Sequence, residues 1–388
     1  MRSAFIPFPT LLAGFVAVLV GYASSAAIIW QAAAAAGANA QQISGWMTAL
    51  GLAMGLSTLV LTLWRKVPIL TAWSTPGAAL LVGGLQGATL NDAVGIFIFA
   101  NALIVICGLT GWFARLMKLI PHSLAAAMLA GILLRCGLQA FATLQGQLLL
   151  CGSMLVSWLL FTALAPRYAV VAALAVGIIV ALLKGDVVTN TSTLGFVAPQ
   201  FIAPHFSLTQ LISVGIPFFL VTMASQNAPG LATLQASGYR VPVSPLIVIS
   251  GAFGLLLAPF GVYSVCIAAI TAAICQSPEA PPAPQKRWLA AAAAGVFYLL
   301  AGVFGGSITA LMAALPVVWI QMLAGLALLG TLGGSLFQAL TSAHERDAAM
   351  VTFLVTASGI TLAGIGSAFW GLAIGGASFA LLSRQART

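Results

Sequence analysis

Charge is almost absent from this chain. Of its 388 residues 5% are charged and 61% hydrophobic, where an ordinary soluble domain carries roughly 25% charged residues. Such a composition excludes a soluble globular protein and predicts an all-α polytopic membrane protein. Only five residues are acidic, Asp92, Asp186, Glu279, Glu345 and Asp347, and each falls between apolar runs. No carboxylate is therefore expected at mid-membrane. His122, His205 and His344 stand far apart, so neither a metal site nor a catalytic constellation is expected, and no cofactor is implied. The five cysteines are odd in number and lack a C-x-x-C pair, which reads as small packing residues. The net charge of +9 comes from basic residues scattered singly or in pairs between the apolar runs. That pattern excludes a nucleic-acid partner and reads as membrane topology.

The apolar runs themselves are long. A helical crossing needs about 20 apolar residues, and charges and prolines divide the chain into spans at 9–30, 43–64, 68–86, 93–114, 121–141, 148–165 and 168–184, then 208–236, 243–259, 260–276, 288–306, 315–340, 348–366 and 368–383. The first follows Arg2 without a small-residue cleavage site and is read as a span. Fourteen spans place both termini and every even-numbered connection on one side. That side holds twelve of the fourteen basic residues, Arg2, Arg65, Lys66, Arg115, Lys118, Arg167, Arg240, Lys286, Arg287, Arg346, Arg384 and Arg387, leaving Arg135 and Lys184 elsewhere. By the positive-inside rule both termini are cytoplasmic.

The two halves resemble each other. Pro121 and Met128-Leu129-Ala130-Gly131 recur as Pro316 and Met322-Leu323-Ala324-Gly325, Gly95-Ile96-Phe97-Ile98 as Gly295-Val296-Phe297-Tyr298, and Tyr22-Ala23-Ser24-Ser25 loosely as Met223-Ala224-Ser225-Gln226. Seven spans per copy is odd, so the second copy enters from the opposite side and the repeat is inverted. The expected organisation is a first repeat over 1–186, an extracytoplasmic linker over 187–207 and a second repeat over 208–388.

Two spans are interrupted at matching places. Span three carries Trp73-Ser74-Thr75-Pro76-Gly77 and span ten carries Gly261-Val262-Tyr263-Ser264. Backbone that is not helical is tolerated in a bilayer only where protein buries it or it lines a cavity, so a matched pair of breaks predicts a substrate site. Thr75 is the expected N-cap of a half-helix with Pro76 at its first position and Gly77 allowing close approach, and the partner half-helix is expected to begin near Ser264. Opposed helix N-termini prefer an anion, and Trp73 and Tyr263 offer flat faces to a ring or simply pack. Span eight adds Ser225, Gln226 and Asn227 before Pro229, and span one adds Tyr22, Ser24 and Ser25; these polar groups either face a cavity or bond between helices. Arg135 lies about fourteen residues into span five, ~20 Å from its start, and is read as reaching to the outer interface in preference to the alternative, a substrate anchor.

Through Gly21-Tyr22-Ala23-Ser24-Ser25, Thr71 to Ala79, Pro121-His122-Ser123-Leu124-Ala125, Met223 to Gly230 and Gly261 to Ser264, the chain resembles the benzoate/proton symporter (BenE) family from end to end. The resemblance implies proton-linked import of benzoate or a similar aromatic monocarboxylate across the bacterial inner membrane. More distantly the layout is similar to nucleobase/ascorbate and sulfate carriers with seven-plus-seven inverted repeats. That likeness implies a core domain of spans 1–4 (about 9–114) and 8–11 (about 208–306), a gate domain of spans 5–7 (about 121–184) and 12–14 (about 315–383), and a homodimer. Nucleobase carriers hold acidic residues at the places of Ser225-Gln226 and Tyr263-Ser264, so their absence here argues for an anionic substrate. It also removes the usual proton carriers, leaving His122, Asp92 or the substrate itself. An anion channel or uniporter, or a carrier for another small organic anion, stays open.

Overall fold

The computed structural model describes residues 8–112, 121–187, 195–276, 280, 283–362 and 365–385. Arg2, Arg115, Lys118, Glu279 and Arg387, which carry part of the charge pattern, lie outside them. The described chain is mostly helical: α1 (Phe8–Ala35), α2 (Ala40–Arg65), α3 (Thr75–Gly84), α4 (Leu90–Leu109), α5 (His122–Gly146), α6 (Leu148–Leu164) and α7 (Ala169–Lys184) form the first half. A short strand β1 (Thr71–Ala72) precedes α3. The second half holds α8 (Leu208–Gln235), α9 (Val243–Leu257), strand β2 (Cys266–Ile267), α10 (Ile270–Gln276), α11 (Trp288–Val303), α12 (Gly305–Ala314), α13 (Val317–Thr341), α14 (Arg346–Ser358) and α15 (Ser367–Gln385). Eight of the described helices are long and apolar enough to cross a membrane, and three shorter ones are apolar.

The internal likeness of the halves reappears as matched elements. Helices α5 and α13 are each 25 residues long and each follow a proline with extended backbone, Pro121 and Pro316, and they pack along each other. Around them lie α14 and α6, with α7 on α6 and α15 on α14. A second group forms where α11 packs on α1 and α2, α9 on α4, and α3 and α10 on α1. Here small residues set the spacing: a Cβ on Gly51 of α2 would lie 2.5 Å from the Cα of Gly302 on α11. Backbones approach that closely only where side chains are missing, the packing mode expected of helices in lipid.

The described part of the central linker is a strap over one face of the second group. Ile202 N–H donates to Pro259 O at 2.8 Å, His205 N–H to Asn91 O at 2.9 Å, Asn91 Nδ2 to Ala203 O at 2.7 Å and Gly195 N–H to Ser307 Oγ at 3.0 Å. Pro199 lies against Gly45 near the start of α2. The strap thereby gathers on one face the connections that follow α1, α3, α9 and α11.

Several expected boundaries move. Ser74, not Thr75, caps α3, its side chain accepting from Gly77 N–H at 3.0 Å. The partner helix α10 starts at Ile270 rather than near Ser264, because the residues before it are extended and pair with β1. Span thirteen ends as a helix at Ser358, where Gly359 takes φ 68°, and a β-hairpin of Thr361–Leu362 with Ile365–Gly366 follows. Helix α12 was not expected; it packs on α2, where a Cβ on Gly305 would lie 2.6 Å from Thr48 N. Span eight stays helical through Pro229 because a π-helical turn at Met223–Asn227 precedes it. Such wide turns accommodate a proline's missing donor and recur at functional sites.

Candidate substrate site

Strands β1 and β2 pair antiparallel, Thr71 opposite Ile267 and Ala72 opposite Cys266, so the two interrupted segments cross side by side. Every polar group of extended backbone buried at this depth needs a partner, and side chains from three helices supply several of them. From α2, Thr58 Oγ1 accepts from Thr71 N–H at 3.0 Å and Thr62 Oγ1 donates to Ile69 O at 2.7 Å. The Thr71 hydroxyl bonds back to Met54 O at 3.0 Å and lies 2.6 Å from Ser57 Oγ. Asn227 of α8 accepts from Ile267 N–H at 2.9 Å, and Asn101 of α4 donates to Tyr263 O at 2.9 Å. Between the segments Ala268 N–H donates to Leu70 O at 2.9 Å and Ser74 N–H to Ser264 Oγ at 2.9 Å.

The residues singled out by sequence therefore divide. Ser264 is fully buried and committed to Ser74, and Asn227, also fully buried, is committed to β2. Tyr263 is 1% exposed, packed against Phe97 and Phe218 with ring centroids 6.1 Å away in each case, and its hydroxyl donates to Ser74 O at 3.3 Å. In this conformation it presents no free face to a ligand. Pro76 and Gly77 are buried in the first turn of α3, where a Cβ on Gly77 would meet Phe218 and the Ser74 side chain at 2.7 Å.

Of the others, Trp73, Tyr22 and Ser25 are buried, while Ser24, Thr75, Ser225 and Gln226 are half-buried. The half-buried Thr75 hydroxyl lies 2.6 Å from Ser25 Oγ, which is 3.3 Å from Ser24 Oγ, so three hydroxyls from α1 and α3 line up at the start of the half-helix. Trp73 packs edge-on against Tyr22 with centroids 4.7 Å apart. Tyr22 turns its hydroxyl towards Gly51 of α2 and so stands behind Trp73. Ser225 and Gln226 are half-buried and have no hydrogen-bond partner among the described residues. Ser225 lines a cavity of about 200 Å³ together with His122, Leu129, Pro229 and Gln338. Asp92 lies elsewhere, in a capping box with Thr89 and 2.6 Å from His205 Nδ1 on the strap.

Sequence reasoning passed over Ser57, Thr58, Thr62 and Asn101. Their signal was a polar side chain recurring on one stretch of an apolar helix, yet what they bond lies elsewhere in the chain. No group of three or more metal-ligating side chains occurs among the described residues.

A paired break between two helices, closed by side chains and flanked by hydroxyls, is the organisation of a membrane transporter. The whole chain superposes on murine Slc26a9, an anion transporter solved in its inward-facing state, with TM-score 0.65 and 15% identity over 70% of that protein. It also matches the transmembrane domain of the cyanobacterial bicarbonate transporter BicA, with TM-score 0.65 and 13% identity, over 95% of this chain and 97% of that one. Residues 4–381 match the family described as benzoate membrane transport protein, and the chain belongs to that family. It is 70% identical to the inner membrane protein YdcO of Escherichia coli K12 over 99% of this chain and 98% of that one. To the benzoate membrane transport protein of Acinetobacter baylyi it is 37% identical, over 96% of this chain and 94% of the relative.

Proposed function

We propose that this protein imports benzoate or a similar aromatic monocarboxylate with protons across the bacterial inner membrane. The observation that carries the reading is the hydroxyl row Ser24, Ser25 and Thr75 at the N-terminus of α3, in a fold where no carboxylate approaches it among the described residues. Hydroxyls donate to a carboxylate, and the positive end of the α3 dipole adds about 0.3–1 kcal/mol, up to ~2 when desolvated. The Ser74 cap already takes the Gly77 N–H, so the hydroxyls rather than bare backbone donors supply most of the contacts. Trp73 then meets the ring, Ser225 and Gln226 complete the site from α8, and Tyr263, Ser264 and Asn227 hold its backbone in place.

The packing groups fit a core of spans one to four and eight to eleven moving against a gate of the remaining six. The strap supports the fourteen-span arrangement with cytoplasmic termini, since the connections it gathers are all odd-numbered ones. On that reading the cavity of His122 and Ser225 opens to the cytoplasm, and His122 is the side chain placed to take a proton there. The missing carboxylates favour one other reading, an anion uniporter on the same fold. Binding tests the site: purified protein should gain several degrees of thermal stability with benzoate and none with uncharged benzamide. Ser25→Ala with Thr75→Val should remove the gain. Equal shifts with benzamide, or an unchanged shift in the double variant, would place the carboxylate elsewhere.

A further inference from the structure

Arg135, read as reaching an interface, is exposed and lines a cavity other than the smaller one at Ser225. This space, about 600 Å³, lies between α3, the π-turn at 211–215, α5 and the α14 to α15 connection. The volume falls within the ~300–1,000 Å³ range of small-molecule sites. Arg135 is the one charged residue among those that line it. Its guanidinium lies over Gly359, where a Cβ would meet Nη1 at 2.6 Å. No described carboxylate pairs with it. Thr356 lines the same cavity, and its buried hydroxyl has no hydrogen-bond partner among the described residues.

Arg135 is itself exposed, so its guanidinium is open to a ligand, and a planar guanidinium matches a carboxylate with two parallel N–H donors. The cavity also lies along α3 from the proposed site. Ala79 and Leu80 on its wall follow Thr75 by one turn of α3, about 6 Å along the axis. On α5, Ile132 faces this cavity and Leu129 the smaller one, so a single helical turn separates the two spaces.

We propose that the Arg135 cavity is a separate docking site for a small external monocarboxylate, which is held on the guanidinium before passing to Thr75. The identity of the anion rests on the transport reading; the site itself does not. The test uses purified protein lacking its native cysteines, with Gln139→Cys on the cavity wall as reporter. Modification rates are measured with an anionic sulfonatoethyl and a cationic trimethylammonioethyl methanethiosulfonate, with Arg135, Arg135→Lys and Arg135→Gln. The anionic reagent should be favoured with Arg or Lys and lose that preference about tenfold with Gln, while benzoate should slow labelling only when the charge is present. A rate ratio that is the same in all three overturns the site, as does benzoate protection that survives Arg135→Gln. Charge-dependent labelling without any benzoate protection would keep an anion site and reject benzoate as its occupant. In proteoliposomes Arg135→Gln should raise the benzoate KM about ten- to hundredfold with kcat retained. Retained benzoate uptake with an unchanged KM would reject the docking step alone and leave the carrier reading standing.

Discussion

Two serines at the crossing do different work. Ser264 holds backbone, whereas Ser225 stands half-buried at a cavity wall without a hydrogen-bond partner among the described residues. A carboxylate introduced at Ser225 should therefore meet the substrate's own charge without breaking the frame. At ~5 Å and an effective dielectric near 20 the repulsion is about 3 kcal/mol, more than a hundredfold in affinity. Ser225→Glu should lose benzoate binding by that order at pH 8 and recover as acid protonates the new side chain, while Ser225→Gln should lose far less at every pH. Titrating affinity from pH 5 to 8 checks this, and equal, pH-independent losses would contradict it. The residues of this neighbourhood were legible in sequence because polar groups inside apolar runs are conspicuous. Their division of labour was not: whether Tyr263 offers a face or a hydroxyl depends on Phe97, Phe218 and Ser74, which come together only in the folded chain.

At the scale of elements, the sequence located both breaks but misjudged how they end. A proline and a glycine after Ser74-Thr75 mark a helix start within a residue. Nothing local marks Ile270, since the start of α10 is delayed by pairing with a strand some 190 residues earlier, a tertiary effect that overrides propensity. The same reasoning explains α12, whose Gly305 serves a close contact with α2 rather than a turn. The strap is the element that makes orientation testable. With fourteen spans, Gln200 on the strap and Gln285 in the short 3₁₀ turn at Pro284–Lys286, both exposed, lie on opposite sides. In a background without native cysteines, Gln200→Cys should react rapidly with a membrane-impermeant reagent in intact cells and Gln285→Cys only after lysis. Rapid reaction at both would break the fourteen-span count.

For the whole molecule, scarcity of charge was the most readable property, because the bilayer imposes one solvent on every span at once. The expected topology rests on where the few basic residues fall, and the family, which the match over residues 4–381 shows, was legible in motifs spread along the chain. Energetic coupling leaves no such trace. A carrier that lacks intramembrane carboxylates can move its proton on His122 or on the substrate, and the static arrangement of hydroxyls is the same for a symporter and a uniporter. The direct measurement is uptake of labelled benzoate into proteoliposomes carrying only an imposed pH gradient, acid outside, under conditions where the protein-free membrane is tight to benzoic acid. The account predicts accumulation above equilibrium that collapses when a protonophore is added and is absent with Ser25→Ala and Thr75→Val together. Uptake that stops at equal concentrations whatever the gradient would contradict proton coupling and leave an anion uniporter.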